Sequence, residues 1–179
     1  MAVAARKLRA VPQDDCRHLL LEYWNRRPPE DLTVQFFCRV FLQPYAEHAR
    51  GRTEPAGSGE TALCPFCGRK PVAGVLREEG LGGKKWLLCS FCLGEWEFRR
   101  LLCPACGQAD PARLAVYTTD EFPQVRVDAC QACKVYTKTV DVTRDGQAVP
   151  LVDEIAGAAL DLWAGRQGYN KLELNLVGL

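Results

Sequence analysis

No long apolar run occurs anywhere in this sequence. The opening MAVAARKLRAVPQDD offers nothing that would serve as an export signal, and no stretch approaches the roughly 20 apolar residues that a membrane-spanning helix needs. No membrane span is expected, and a reducing cytoplasm is the expected location. Histidine is scarce: the 179 residues hold two, His18 and His48, both in stretches of helical periodicity. No nucleophile stands at a readable spacing from a base, so the chain reads as a non-enzyme. A basic arm is missing too. Lysine and arginine exceed aspartate and glutamate by nine to seven in residues 1–59, balance them nine to nine in 60–133, and trail them five to six in 134–179. That balance argues against a phosphate backbone as partner.

Cysteine, by contrast, is abundant. Eight of the ten cysteines form four Cys-x-x-Cys pairs: Cys64/Cys67, Cys89/Cys92, Cys103/Cys106 and Cys130/Cys133. One tight turn of this spacing points two sulfurs at a common centre, and two such turns complete a tetrahedral set of thiolates. The pairs also recur. Cys64 to Cys103 and Cys67 to Cys106 are 39 residues apart, and Cys89 to Cys130 and Cys92 to Cys133 are 41 apart, so the stretch reads as a tandem duplication of one knuckle-hairpin-knuckle unit. Local pairing gives site one, Cys64, Cys67, Cys89 and Cys92, and site two, Cys103, Cys106, Cys130 and Cys133. Two structural metal ions per chain are expected, zinc or mononuclear iron, and spacing leaves a cluster open as well. Eight thiolates with two divalent ions would add four negative charges to the module. The Cys-Pro-x-Cys-Gly signature stands at one knuckle of each unit; the others continue as Cys92-Leu93 and Cys133-Lys134, which tilts the expectation toward zinc. Disulfides fit poorly without an export signal. A redox Cys-x-x-Cys fits poorly where Gly68 and Gly107 close turns. Cys16 and Cys38 read as small buried apolar residues.

Periodicity places a helix over about 16–26, ended by Pro28-Pro29, with Asp14 or Asp15 as cap, and a second over about 29–49 through Pro44. Residues 50–62 read as a linker. The first unit continues as strands near 72–78 and 85–88 joined by a glycine turn at 80–83. GEWEFRRLL reads as a half-buried strand bridging the two units, with Trp96, Phe98 and Arg100 on one face and Glu95, Glu97 and Arg99 on the other. The second unit has strands near 114–118, 125–128 and 135–142. A helix follows over 152–167, its apolar face Val152, Ile155, Ala156, Ala159, Leu160 and Trp163, with Asp153 and Glu154 in the first turn. The tail from Tyr169 reads as an extended piece lying on the body, its last residues without readable chemistry. The expected fold is α+β: two tandem rubredoxin-like or zinc-ribbon β modules (60–99 and 100–149), an N-terminal helical hairpin with linker (1–59), and a C-terminal helix and tail (150–179).

CPFCGRKPVAGVL, LLCSFCLGEWEFRRLLCPACG, DACQACKVYTKTVDV and EIAGAALDLWAGRQGY together resemble the formate dehydrogenase accessory protein family of FdhE type, over roughly residues 35–175. The part before Cys64 is shorter than that family's helical domain. The resemblance implies two rubredoxin-like modules and an assembly role in maturing a respiratory molybdenum or tungsten formate dehydrogenase. It implies the catalytic subunit as partner. Glu95, Trp96, Arg99 and Arg100 on the bridging strand are the candidate contact residues, an apolar patch with a charged rim, and Trp96 reads equally as filling the core between the two units. The competing readings are a zinc-ribbon nucleic-acid-binding protein and a thiol redox or sulfur-handling protein.

Overall fold

The computed structural model describes residues 12–54, 61–79 and 82–178. Residues 1–11, the greater part of a lead-in expected over 1–15, the middle of the expected linker at 55–60 and the glycine-turn tip at 80–81 lie outside the described residues. The chain divides into two compact units, Met1–Thr53 and Glu54–Leu179.

The first unit is a hairpin of α1 (Gln13–Trp24) and α2 (Leu32–Arg50). Asp14 and Asp15 sit within the first turn of α1 and do not cap it; their charge favours the positive end of the helix dipole. Asp31 caps α2, its side chain accepting from the amides of Thr33 at 2.8 Å and Val34 at 3.3 Å. The helix runs on through Pro44. Cys38 is buried and Cys16 partly so, while His18 and His48 are exposed on the helix surfaces.

The second unit is built on one mixed sheet. Its strands are β1 (Pro71–Glu79), β2 (Gly82–Cys89), β3 (Glu95–Glu97), β4 (Leu114–Tyr117), β5 (Val125–Cys130), β6 (Val135–Asp141) and β7 (Asn170–Lys171). They run in the order β3-β2-β1-β6-β5-β4, with β7 parallel to the start of β6. Each cysteine unit contributes three antiparallel strands, and the two triplets join where β1 meets β6 in parallel at Gly74↔Thr139, Val75↔Val140 and Leu76↔Asp141. The stretches 60–99 and 100–149, expected as separate modules, therefore share a continuous sheet. No bridging strand makes this join. β3 is three residues long and the chain turns at Arg100-Leu101.

The C-terminal helix also differs from its expected form. It is two helices, α3 (Pro150–Ala156) and α4 (Ala158–Arg166), broken at Gly157. Val152, placed on the buried face by periodicity, is 60% exposed, whereas Glu154 is fully buried and Asp161 nearly so. The reason lies across the sheet. Lys138, at 0% exposure in β6, donates to Asp161 at 2.6 Å and to the carbonyls of Glu154 and Gly157, and lies 3.1 Å from the Glu154 carboxylate. Lys171 pairs with both acids from β7, and the Asn175 amide donates to Glu154 at 3.1 Å. Two buried lysines thus meet two buried carboxylates, the condition under which buried charge is tolerated. The tail carries chemistry after all: it closes this cluster. On the same face Val127, Ala129, Tyr136, Ala164 and Tyr169 form an apolar core with Trp163 and Leu160. Val72, Ala73, Val75 and Leu88 form another, covered by Leu151. The valines and leucines among them each contribute about 1.5–3 kcal/mol on full burial.

Candidate metal centres

All four cysteine pairs turn through positive φ four residues after the first cysteine. In three of them the first cysteine's carbonyl accepts from the amide at that position: Cys64 from Gly68 at 2.8 Å, Cys103 from Gly107 at 2.9 Å, and Cys130 from Lys134 at 2.9 Å. In three the first cysteine's amide donates to the carbonyl five residues on, from Cys64 to Arg69, Cys89 to Gly94 and Cys103 to Gln108. Closing the turn needs positive φ at that fourth position. Gly68 (70°) and Gly107 (74°) supply it freely, but Leu93 (50°) and Lys134 (58°) adopt it as well, at roughly 1–2 kcal/mol each. Side-chain contacts offset that cost: Leu93 packs on the Val72–Leu88 core, and Lys134 lies over the Tyr169 ring and donates to Gln131. Residue type alone did not reveal that these two knuckles match the glycine ones.

The folding brings together the eight cysteines of the two expected sets, in the expected pairing. Within each set the sulfurs all lie within 4.8 Å of one another. Cys64 and Cys92 are 3.5 Å apart, Cys67 and Cys89 3.4 Å, Cys103 and Cys133 3.7 Å, and Cys106 and Cys130 3.8 Å. Tetrahedral zinc bonds of about 2.3 Å to sulfur would place thiolates about 3.8 Å apart, so both sets fit a closed four-sulfur site. Amides already point at the sulfurs, from Phe91 to Cys89 at 3.3 Å and from Ala105 to Cys103 at 3.4 Å, which stabilises thiolate charge. Within site one the sulfurs' mutual hydrogen bonds push the acidities apart. Bonds with Cys64, Cys89 and Cys92 lower the Cys67 value, and bonds with Cys64, Cys67 and Cys92 raise that of Cys89. In site two burial pushes Cys133 up to about 12, with its neighbouring sulfurs adding to the shift. A bound divalent ion would favour the thiolate at all eight. Either set filled in this way has no open coordination position for water, so its role is structural. None of the ten cysteines is in a disulfide.

The expected contact residues fare differently. Trp96 is 6% exposed with its indole N–H on the Thr61 carbonyl at 2.8 Å, and Phe98 is 3% exposed. They fill core, so the apolar patch expected on this strand is absent. Glu95 accepts two hydrogen bonds from Arg77, at 2.7 and 2.9 Å. Arg99 is exposed; Arg100, also exposed, donates to the Gly83 carbonyl.

A second polar centre escaped the sequence reading. Lys85, 3% exposed on β2, reaches across β1 and β6 to Asp128 on β5, at 2.6 Å. Thr139 donates to the same oxygen at 2.8 Å, and Arg126 lies 2.9 Å from the other. Gly74 makes the crossing possible, since a Cβ there would stand 2.4 Å from the Thr139 hydroxyl and 3.1 Å from Lys85 Cε. Burial pushes Asp128 up, but the Lys85 and Arg126 charges overcome it and hold the carboxyl below its ordinary range. Among the described residues no helix is long and apolar enough to cross a membrane.

The family model for FdhE, central domain, matches residues 63–100, and that for FdhE, C-terminal domain, matches residues 101–177. A protein named as an FdhE homolog from Aquifex aeolicus is 38% identical over 96% of this chain and 61% of its own length. Another from Pseudomonas putida is 34% identical over 69% of this chain and 40% of its own. The crystal structure of the FdhE protein from Pseudomonas aeruginosa superposes with a TM-score of 0.79 at 27% identity, covering 98% of this chain and 63% of that one. The chain therefore spans less than two thirds of the length of each.

Proposed function

The chain belongs to the FdhE family, and from that premise we propose that it is an accessory protein in formate dehydrogenase maturation. It binds the catalytic subunit through protein contacts and catalyses no reaction itself. The eight cysteines hold two structural metal ions, zinc or iron, that fix the β unit on which those contacts are made. The observation that carries this reading is the pair of closed four-sulfur sets lying inside the stretch matched to FdhE. Closed tetrahedra support a structural role, because neither offers a position where substrate or water could bind. The balanced charge of residues 60–133 supports a protein partner over nucleic acid.

The test is a pull-down of a formate dehydrogenase catalytic subunit by the metal-loaded chain, run beside a nucleic-acid binding assay and a formate turnover assay. Retention of the subunit, with no turnover and no salt-sensitive nucleic-acid binding, is the expected result. Failure to retain it, together with nucleic-acid affinity that falls steeply with salt, would move the reading to a zinc ribbon.

A further inference from the structure

The internal repeat matches β1 with β4, β2 with β5 and β3 with β6, at the same 39- and 41-residue offsets as the cysteines. In the first module the outer edge of β1 is occupied, in parallel, by β6. The equivalent edge in the second module is that of β4, which ends the sheet; among the described residues its one strand partner is β5. Gln131 N–H donates to the Arg113 carbonyl across this pair, so antiparallel alternation turns the N–H and C=O of Val116 outward. Val116 is 54% exposed. An edge of this kind is a template for strand addition.

Beside that edge, on the face of the sheet away from α3 and α4, lies a groove of about 340 Å³. Leu101, Leu102, Leu114 and Val116 give it an apolar wall, and Lys85, Arg126 and Asp128 are also among its lining residues. Site two forms part of the boundary through Cys103 and Cys130. Lys85 and Arg126 are both engaged by Asp128. Arg100 is the cation of this groove with no carboxylate at ion-pair distance among the described residues; it donates to the Gly83 carbonyl alone. An exposed guanidinium next to an aliphatic wall selects a carboxylate flanked by aliphatic side chains.

We propose that the β4 edge and this groove form a docking site for an extended segment of a partner protein that carries an acidic residue between aliphatic ones. The segment adds as a further strand, bonding the outward groups of Val116. It sets its carboxylate on Arg100 and an aliphatic side chain against Leu101 and Leu114. The site is defined by this chemistry alone and its test uses no dehydrogenase subunit, so failure here leaves the preceding reading standing.

The experiment is fluorescence anisotropy of the metal-loaded full chain with a labelled peptide of about eight residues alternating valine with glutamate. Binding should weaken about tenfold or more when lysine replaces glutamate, or when alternate backbone amides of the peptide are N-methylated. A similar loss is expected for Arg100→Glu and for Val116→Pro, each with metal content unchanged, because the Val116 amide is not part of the β4–β5 ladder. Lack of binding by the acidic peptide would overturn the proposal, as would equal binding of the lysine or N-methylated peptide. Self-association through β4 that excludes the peptide would assign the edge to a second copy of the chain and also overturn it.

Discussion

In site one Cys64, Cys89 and Cys92 are buried and Cys67 is partly so, whereas site two leaves Cys106 exposed and Cys133 half-open. Both sites use the same knuckles, so ligand geometry does not explain the contrast. The residue before the second cysteine does. It is Phe66 and Phe91 in the first module, and Ala105 and Ala132 at the matching positions of the second. Phe91 is 3% exposed and carries the Arg69 guanidinium at 4.5 Å over its ring, while both alanines are exposed. Duplication therefore preserved the coordination chemistry while the shielding was set residue by residue.

Complete metal removal should have the largest effect, since structural zinc contributes an apparent 10–16 kcal/mol or so to small metal-bound folds. A strong chelator should first strip site two through its exposed Cys106, then site one, and residues 64–142 should lose amide protection in that order. The helices of the first unit should retain protection throughout. Simultaneous loss from both sites would break the distinction between them.

Phe91→Ala comes next. Truncating a buried phenylalanine typically costs about 3–5 kcal/mol, and here it should also raise the rate of metal release from site one toward that of site two. A chelator-transfer time course reads this directly; two unchanged phases would show that Phe91 is not the shield. Gly74→Ala attacks the join between the modules. Its Cβ has no room beside Thr139, so a loss of about 1–3 kcal/mol and a lower melting temperature are expected with both metals retained.

A smaller effect follows pH. Asp128 is held below the ordinary carboxyl value of about 3.9, so its stabilising contribution is fully present above that value and is lost as pH falls through the folded one. Asp128→Asn should flatten the acid limb of a stability–pH curve below about pH 4, while the wild-type limb slopes down.

Much of this contrast could be read along the chain, and the unread parts share a cause. Spacing sufficed for the eight cysteines because a knuckle is local: both ligands, the turn and its hydrogen bonds fall within six residues. Strand positions followed from alternation for the same reason. The burial of Glu154 and Asp161 was not legible because their partners, Lys138 and Lys171, arrive from strands distant in sequence, and helical periodicity alone leaves an acid on the exposed side. A signal did exist: Lys138 stands in VYTKTV on the same face as Tyr136 and Val140, both buried. A lysine there is expected to find an acid. Trp96 and Phe98, read as sharing a face, are both buried, and only the sheet order shows where the core lies.

The claim beneath all of these is that eight cysteines hold two metal ions, one in each set. Elemental analysis of the purified chain, beside Cys64→Ser/Cys67→Ser and Cys103→Ser/Cys106→Ser variants, tests it most directly. Two ions per wild-type chain and one in each variant, with the ion left in the Cys103→Ser/Cys106→Ser variant the slower to exchange, is the expected result. One ion in the wild type, or two surviving in either variant, would contradict it.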